Sequence, residues 1–184
     1  MSEEKDLNDL YFIKSPYVKE ILEDEKSEAF IYLLIYAVKQ MKNRSFLDIK
    51  KIKKEITDME NIAIKAEDFQ GGNTDMGSFQ EIIARIDGYR ARLSDLLSSS
   101  HADYDIVDHW YKQLEKVWVA RSGAKSKDKR EGESAEILSF LLPQKLTRKE
   151  MYEMIKNKFD LMNSKMEAIS REITVGLELR RNIK

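Results

Sequence analysis

The chain has 184 residues, among them 32 Lys or Arg, 33 Asp or Glu, two Pro, seven Gly and no Cys. The missing cysteines exclude a disulfide framework, a thiol nucleophile and sulfur-ligated zinc or iron–sulfur centres, and two histidines leave little for an imidazole-rich metal site. A formal net charge of −1 excludes a global attraction to polyanions, so such a partner needs a local patch, while 42% apolar residues suffice for a core in roughly one domain.

The opening Met1-Ser2-Glu3-Glu4-Lys5-Asp6 is acidic where a secretory signal would be basic and then apolar. The longest apolar run, Ala29 to Val38, is about half of what crosses a bilayer and reads as a buried helix. A cytoplasmic protein without a membrane partner is therefore expected (host cytoplasm, were the chain phage-encoded).

Ser15-Pro16 starts the first predicted helix, with Ser as cap and Pro at the first helical position. Val18, Ile21, Leu22, Ala29, Phe30, Leu33, Leu34, Ala37 and Met41 then recur at helical spacing, and the middle is apolar nearly all round. Ser45 caps a second helix whose Ile49, Ile52, Ile56, Met59, Ala63 and Ala66 advance in steps of three and four, a coiled-coil-like seam. Gly71-Gly72-Asn73-Thr74-Asp75 follows as a loop. A capping box of Ser78 and Glu81 opens a third helix carrying Ile82, Ile83, Ile86, Tyr89, Leu93 and Leu96, and Ser98-Ser99-Ser100 is expected to stop it.

Asp103 or Asp105 can cap a fourth helix with Ile106, Val107, Trp110, Leu114, Val117 and Trp118. Arg121 to Gly132 reads as a mobile basic loop, with five basic residues against two acidic ones. Ala135 to Leu142 is a short apolar helix ended by Pro143, and Thr147 with Glu150 forms a second capping box. The last helix carries Phe159, Met162, Met166, Ile169 and Ile173; continuous to Asn182, it would span roughly 50 Å.

The expected fold is all-α: a helical bundle or antiparallel helical hairpins with coiled-coil-like long helices. It forms one domain over 1–184, with a division into 1–98 and 103–184 as the alternative. Narrow apolar seams need a partner along their length. Folding the hairpins together supplies one, but a second copy does so equally, and Ile49, Ile52, Ile56, Met59, Phe159, Met162, Met166, Ile169 and Ile173 are assigned to a homo-oligomer seam.

His101 and His109 flank Asp103, Asp105 and Asp108, the densest mix of acids and imidazoles in the chain. Capping and surface roles explain them better than a metal, because the glycine and terminal glutamate of a calcium loop are absent. Neither a phosphate-binding Gly-rich loop nor a nucleophile elbow occurs, and carboxylates such as Glu23, Asp24 and Glu25 lie in a charge-rich helix that would not shift their pKa. No catalytic residue, metal or cofactor is assigned, and a non-enzymatic protein is expected.

Charge is segregated along the chain. The first 28 residues hold nine acids against four bases, whereas Lys39, Lys42, Arg44, Lys50, Lys51, Lys53 and Lys54 face only Asp48. Such a run can attract a polyanion, or it can be a solvated face beside an acidic neighbour. Tyr36 and Phe46 flank it and could stack on bases, although core packing is the commoner use of such rings. Arg121, Lys125, Lys127, Lys129 and Arg130 form the second candidate phosphate-contacting segment. Arg171, Arg180, Arg181 and Lys184 make a third basic end that also complements a helix dipole.

The run Met162-Asn163-Ser164-Lys165-Met166-Glu167-Ala168-Ile169-Ser170-Arg171-Glu172-Ile173, on to Arg180, resembles the C-terminal helix of phage recombination mediators. These are small helical oligomers that load a RecA-like recombinase onto single-stranded DNA. The stretch from Ile52-Lys53-Lys54-Glu55 to Gly72 is similar to their N-terminal half. Lys125-Ser126-Lys127-Asp128-Lys129-Arg130-Glu131 resembles the turn of short phage proteins with a basic loop before a final long helix. The likeness covers about a third of the chain and rests on no specific motif; the helix with Trp110 and Trp118 and the segment Ala135 to Leu142 are additional to the family's pattern. It implies an oligomeric accessory protein with single-stranded nucleic acid as partner. The alternative is a scaffold or adaptor that binds only protein.

Overall fold

The computed structural model describes residues 28–63, 76–121 and 126–182, and for 76–79 and 176–182 the backbone alone. Among these residues the chain is all-α: five helices and no strand. They are α1 (Glu28–Lys42), α2 (Ile49–Ala63), α3 (Met76–Arg121), α4 (Lys127–Ile137) and α5 (Leu142–Asn182). The predicted Ser15-Pro16 cap, Ala66 and the Gly71 to Asp75 loop lie outside the described residues.

Packing divides the chain into two units, each built from non-consecutive segments: 1–46 with 102–150, and 47–101 with 151–184. Each unit thus draws on both sides of the 98–103 stretch, and α3 and α5 contribute to both. In the first unit, Phe30, Leu34, Ala37 and Met41 of α1 recur at steps of three and four and are buried against Val107, Tyr111 and Leu114 of α3 and Ile137, Leu138 and Leu141. Phe30 meets Trp118 edge to face, with ring centroids 5.3 Å apart. Fully burying each such side chain contributes about 1.5–3 kcal/mol before conformational entropy is subtracted.

In the second unit, Ile52, Ile56 and Ala63 of α2 join Ile82, Ile86, Tyr89, Leu93 and Leu96 of α3 and Met151, Ile155, Met162 and Ile169 of α5. Helices α2 and α3 run antiparallel there. Glu55 pairs with Arg92, and one to two turns further along α2 the Ile62 carbonyl accepts from Arg85, 3.4 Å away and earlier in α3.

Several predicted boundaries are corrected. Ser98 to Ser100 do not end a helix: α3 passes through, and the Ser98 and Ser100 hydroxyls are satisfied within it by donating to the second lone pair of the Ser94 and Leu97 carbonyls. Asp103 and Asp105 therefore lie inside α3 and cap nothing, and Ser78 likewise lies inside it. Asp48 rather than Ser45 caps α2: its Oδ1 accepts from the N–H groups of Lys50 at 2.9 Å and Lys51 at 3.1 Å.

Half of the predicted basic loop is helix, since Ser126 caps α4 by accepting from the Lys129 N–H at 3.3 Å. The helix placed at Ala135 to Leu142 instead spans Lys127–Ile137 and leads into a tight turn in which Leu141 N–H donates to the Leu138 carbonyl. Pro143 is the second residue of α5, where its missing N–H costs nothing, so it starts a helix instead of stopping one. Thr147 is then interior to α5, its hydroxyl donating to the Pro143 carbonyl at 2.7 Å.

Candidate nucleic-acid interface

The geometry of the lysine-rich end of α2 follows from its apolar spacing. Ile52, Ile56 and Ala63 are buried and Ile49 and Met59 pack beside them, which turns Lys50, Lys51, Lys53 and Lys54 to solvent. No acid occupies the first turn of α2, and the Asp48 carboxylate is engaged by the backbone. Cations here oppose the helix dipole, costing about 0.3–1 kcal/mol for each one near the terminus. Lys50 and Lys51 thus add to the partial positive charge of the helix end, and Lys53 and Lys54 extend the cationic face by one turn.

The acids of α2 that could neutralise them are engaged elsewhere. Glu55 pairs with Arg92 at 2.7 Å, and both oxygens of Glu60 accept from Lys158 Nζ, at 2.8 and 2.7 Å. Among the described residues none of the four lysines forms an ion pair. Next to Glu60, burial pushes the Tyr89 phenol up to about 12, the Glu60 charge adding to the effect.

The rest of the basic run behaves differently. Lys39 and Lys42 lie in the last turn of α1, where they complement its dipole, and both have interaction partners. Arg44 donates from Nε to the buried Asp103 Oδ1 at 3.0 Å, and Arg148 Nη1 lies 3.7 Å from the other oxygen of that carboxylate. The two guanidinium groups lie over Phe46, at 6.0 and 4.7 Å from its centroid. Phe46 is half-buried against the core of this unit, so it serves packing; Tyr36 is 53% exposed. The run from Lys39 to Lys54 is thus shared between the two units, with Arg44 bound into the first.

In the second basic segment, Arg121 closes α3, and Lys127, Lys129 and Arg130 lie in α4; Lys125 is outside the described residues. Asp128, Glu131, Glu133 and Glu136 offset these charges over α4, and Lys127 pairs with Glu131 at 3.5 Å. Arg171 pairs with Glu167 at 3.7 Å; Lys184 and the side chains of Arg180 and Arg181 lie outside what is described.

All nine residues assigned to an oligomer seam point inward within one chain. Ile52, Ile56, Met162 and Ile169 are buried, and Ile49, Met59, Phe159, Met166 and Ile173 pack against them. A second copy is not needed to cover them, because α3 supplies the third wall that the sequence reading left open.

Two features escaped the sequence reading. The acids placed at caps and surface include two buried carboxylates, each bridged by two cations: Asp103 as above, and Asp108, which binds Lys112 at 2.6 Å and Lys145 at 2.8 Å. Burial by itself would raise the Asp108 pKa, but the hydrogen bonds and charges of Lys112 and Lys145 prevail and lower it. The histidines lie on rings, His101 against Tyr152 at 4.9 Å and His109 against Trp110 at 5.2 Å. The second feature is the exposure of Tyr32 and Tyr36, 56% and 53%, in a run expected to be buried all round. Their spacing of four within apolar residues was the available signal.

Among the described residues no helix is long and apolar enough to cross a membrane. The chain matches no protein-family model, no curated protein and no solved structure.

Proposed function

We propose that this chain is a non-enzymatic accessory protein of the cytoplasm that binds single-stranded nucleic acid through the lysine-rich end of α2. The observation that carries the reading is the placement of Lys50, Lys51, Lys53 and Lys54. All four are exposed and without ion pairs among the described residues, and Lys50 and Lys51 lie in the first turn, where the helix dipole disfavours cations. Beyond the capping Asp48 no acid balances these lysines in the first turn, and an anionic partner accounts for a cationic helix start that folding does not require. Phosphate contacts of this kind give affinity without sequence reading. The resemblance to phage recombination mediators points the same way and supplies the preference for a single strand.

Titration of a labelled thymidine homopolymer at several salt concentrations tests the reading. Four neutralised phosphates correspond to a slope of log affinity against log salt of roughly −3. Changing Lys50, Lys51, Lys53 and Lys54 to Glu should abolish that slope with the binding; no binding by the unaltered chain at micromolar protein and low salt removes the proposal.

One observation favours a second reading, a scaffold or adaptor that associates with itself or another protein. On the outer side of α5, Leu161 and Val175 remain 43% and 54% exposed, with the exposed Ala168 midway at steps of seven. Here the four lysine changes leave assembly size unaltered, whereas Leu161→Glu with Val175→Glu reduces it; sedimentation distinguishes the two.

A further inference from the structure

Tyr32 and Tyr36 stand one turn apart on α1, and the core of their unit is filled without them by Phe30, Leu34, Ala37 and Met41. At 100° per residue, Tyr32, Tyr36 and Lys39 fall within about 60° of one another around the axis, so the two rings share one face of the helix. Tyr36 is braced from α3: its ring and that of Trp110 meet at 73° with centroids 5.5 Å apart. Trp110 in turn carries the exposed His109 on its other contact, at 77°. Glu28, in the first turn, is the one carboxylate of α1.

The chemistry of this face is specific. Its large exposed side chains are phenols with a polar rim, in contrast to the aliphatic groups exposed on α5, and its charge beyond the first turn is positive. Flat π surfaces held by a ring from a neighbouring helix suit an unpaired base. A base inside a duplex presents no such face.

We propose that Tyr32 and Tyr36, with Trp110 as their brace, form a base-stacking platform for single-stranded nucleic acid. This rests on the reading of the chain as a single-strand binder and adds a contribution that the α2 lysines cannot make, recognition of the bases as rings. Stacking tolerates any base, so the platform confers preference for single strands without sequence preference.

The test uses the full chain and two labelled strands of about 20 nucleotides, a thymidine homopolymer and an abasic strand with the same phosphates. The unaltered chain should bind the thymidine strand about tenfold to a hundredfold more tightly than the abasic one. Tyr32→Ala with Tyr36→Ala should remove that factor and leave abasic binding unchanged, and Tyr32→Phe with Tyr36→Phe should keep it. Both rings are more than half exposed, so these variants should melt like the unaltered chain. An independent readout is the fluorescence of a Trp118→Phe chain, in which Trp110 is the sole tryptophan: saturating thymidine strand should quench it and abasic strand should not.

Equal affinity of the unaltered chain for both strands, a preference that survives the alanine changes, or unquenched Trp110 at saturation each overturns the platform while leaving the lysine reading standing. Failure to bind either strand overturns both.

Discussion

Arg44 and Lys50 belong to one basic run, yet they meet opposite fates. Arg44 is half-buried and committed to Asp103, whose other oxygen faces Arg148, and it lies over Phe46. Lys50 and its neighbours on α2 are exposed, without ion pairs among the described residues, and set against a helix dipole. Charge density along a sequence therefore does not measure the charge available to a partner. What matters is whether a buried carboxylate has already claimed the cation, and in the first unit Asp103 and Asp108 claim four between them.

The largest effect should come from breaking the claimed set. Asp103→Ala leaves two guanidinium groups facing a buried gap and should cost about 3 kcal/mol in urea unfolding, the low end of the range for a broken buried pair because Arg44 is partly solvated. A loss below about 1 kcal/mol would make Arg44 as available as Lys50 and erase the contrast.

Acid should expose the same dependence at Asp108. Its folded pKa lies below the ordinary 3.8, so its contribution is present above that value and is lost as the pH falls through it toward the folded pKa. Asp108→Asn should flatten that part of the acid limb of a stability–pH curve; an unchanged limb would mean that Lys112 and Lys145 do not hold the carboxylate in solution.

The lysine set should respond with the opposite sign. Changing Lys50, Lys51, Lys53 and Lys54 to Glu removes strand binding yet should raise thermal stability, by about 1 kcal/mol in total, because positions 50 and 51 lie in the first turn, where the dipole favours acids. Destabilisation would show that these lysines support the fold after all. The smallest effect is expected for Glu55→Ala, which breaks a partly exposed pair with Arg92 and should cost under about 1 kcal/mol by the same urea assay. A larger cost would mean that the two units use their ion pairs alike.

Much of the fold was legible because apolar spacing is a local property. The buried positions of α1, α2 and α5, such as Phe30, Ile56 and Met162, are those that steps of three and four pick out. Helix ends were less legible, since residues such as Ser98, Asp103 and Pro143 have two uses and only their neighbours choose between them. Ser98 can turn its hydroxyl back onto α3, and Pro143 can open a helix as readily as close one. Of the candidate site, the lysines of α2 were visible as a run, but the removal of Arg44 from it was not.

By itself the sequence determined the all-α class, the inward faces of the long helices and the segregation of charge, because these depend on periodicity and composition. Tertiary structure decided which cations are spent on Asp103 and Asp108, which tyrosines of an apolar run reach solvent, and that the nine seam residues close within one chain. Each of those outcomes depends on a partner far away in sequence, and burial, ion pairing and ring contact are properties of the pair, not of either residue.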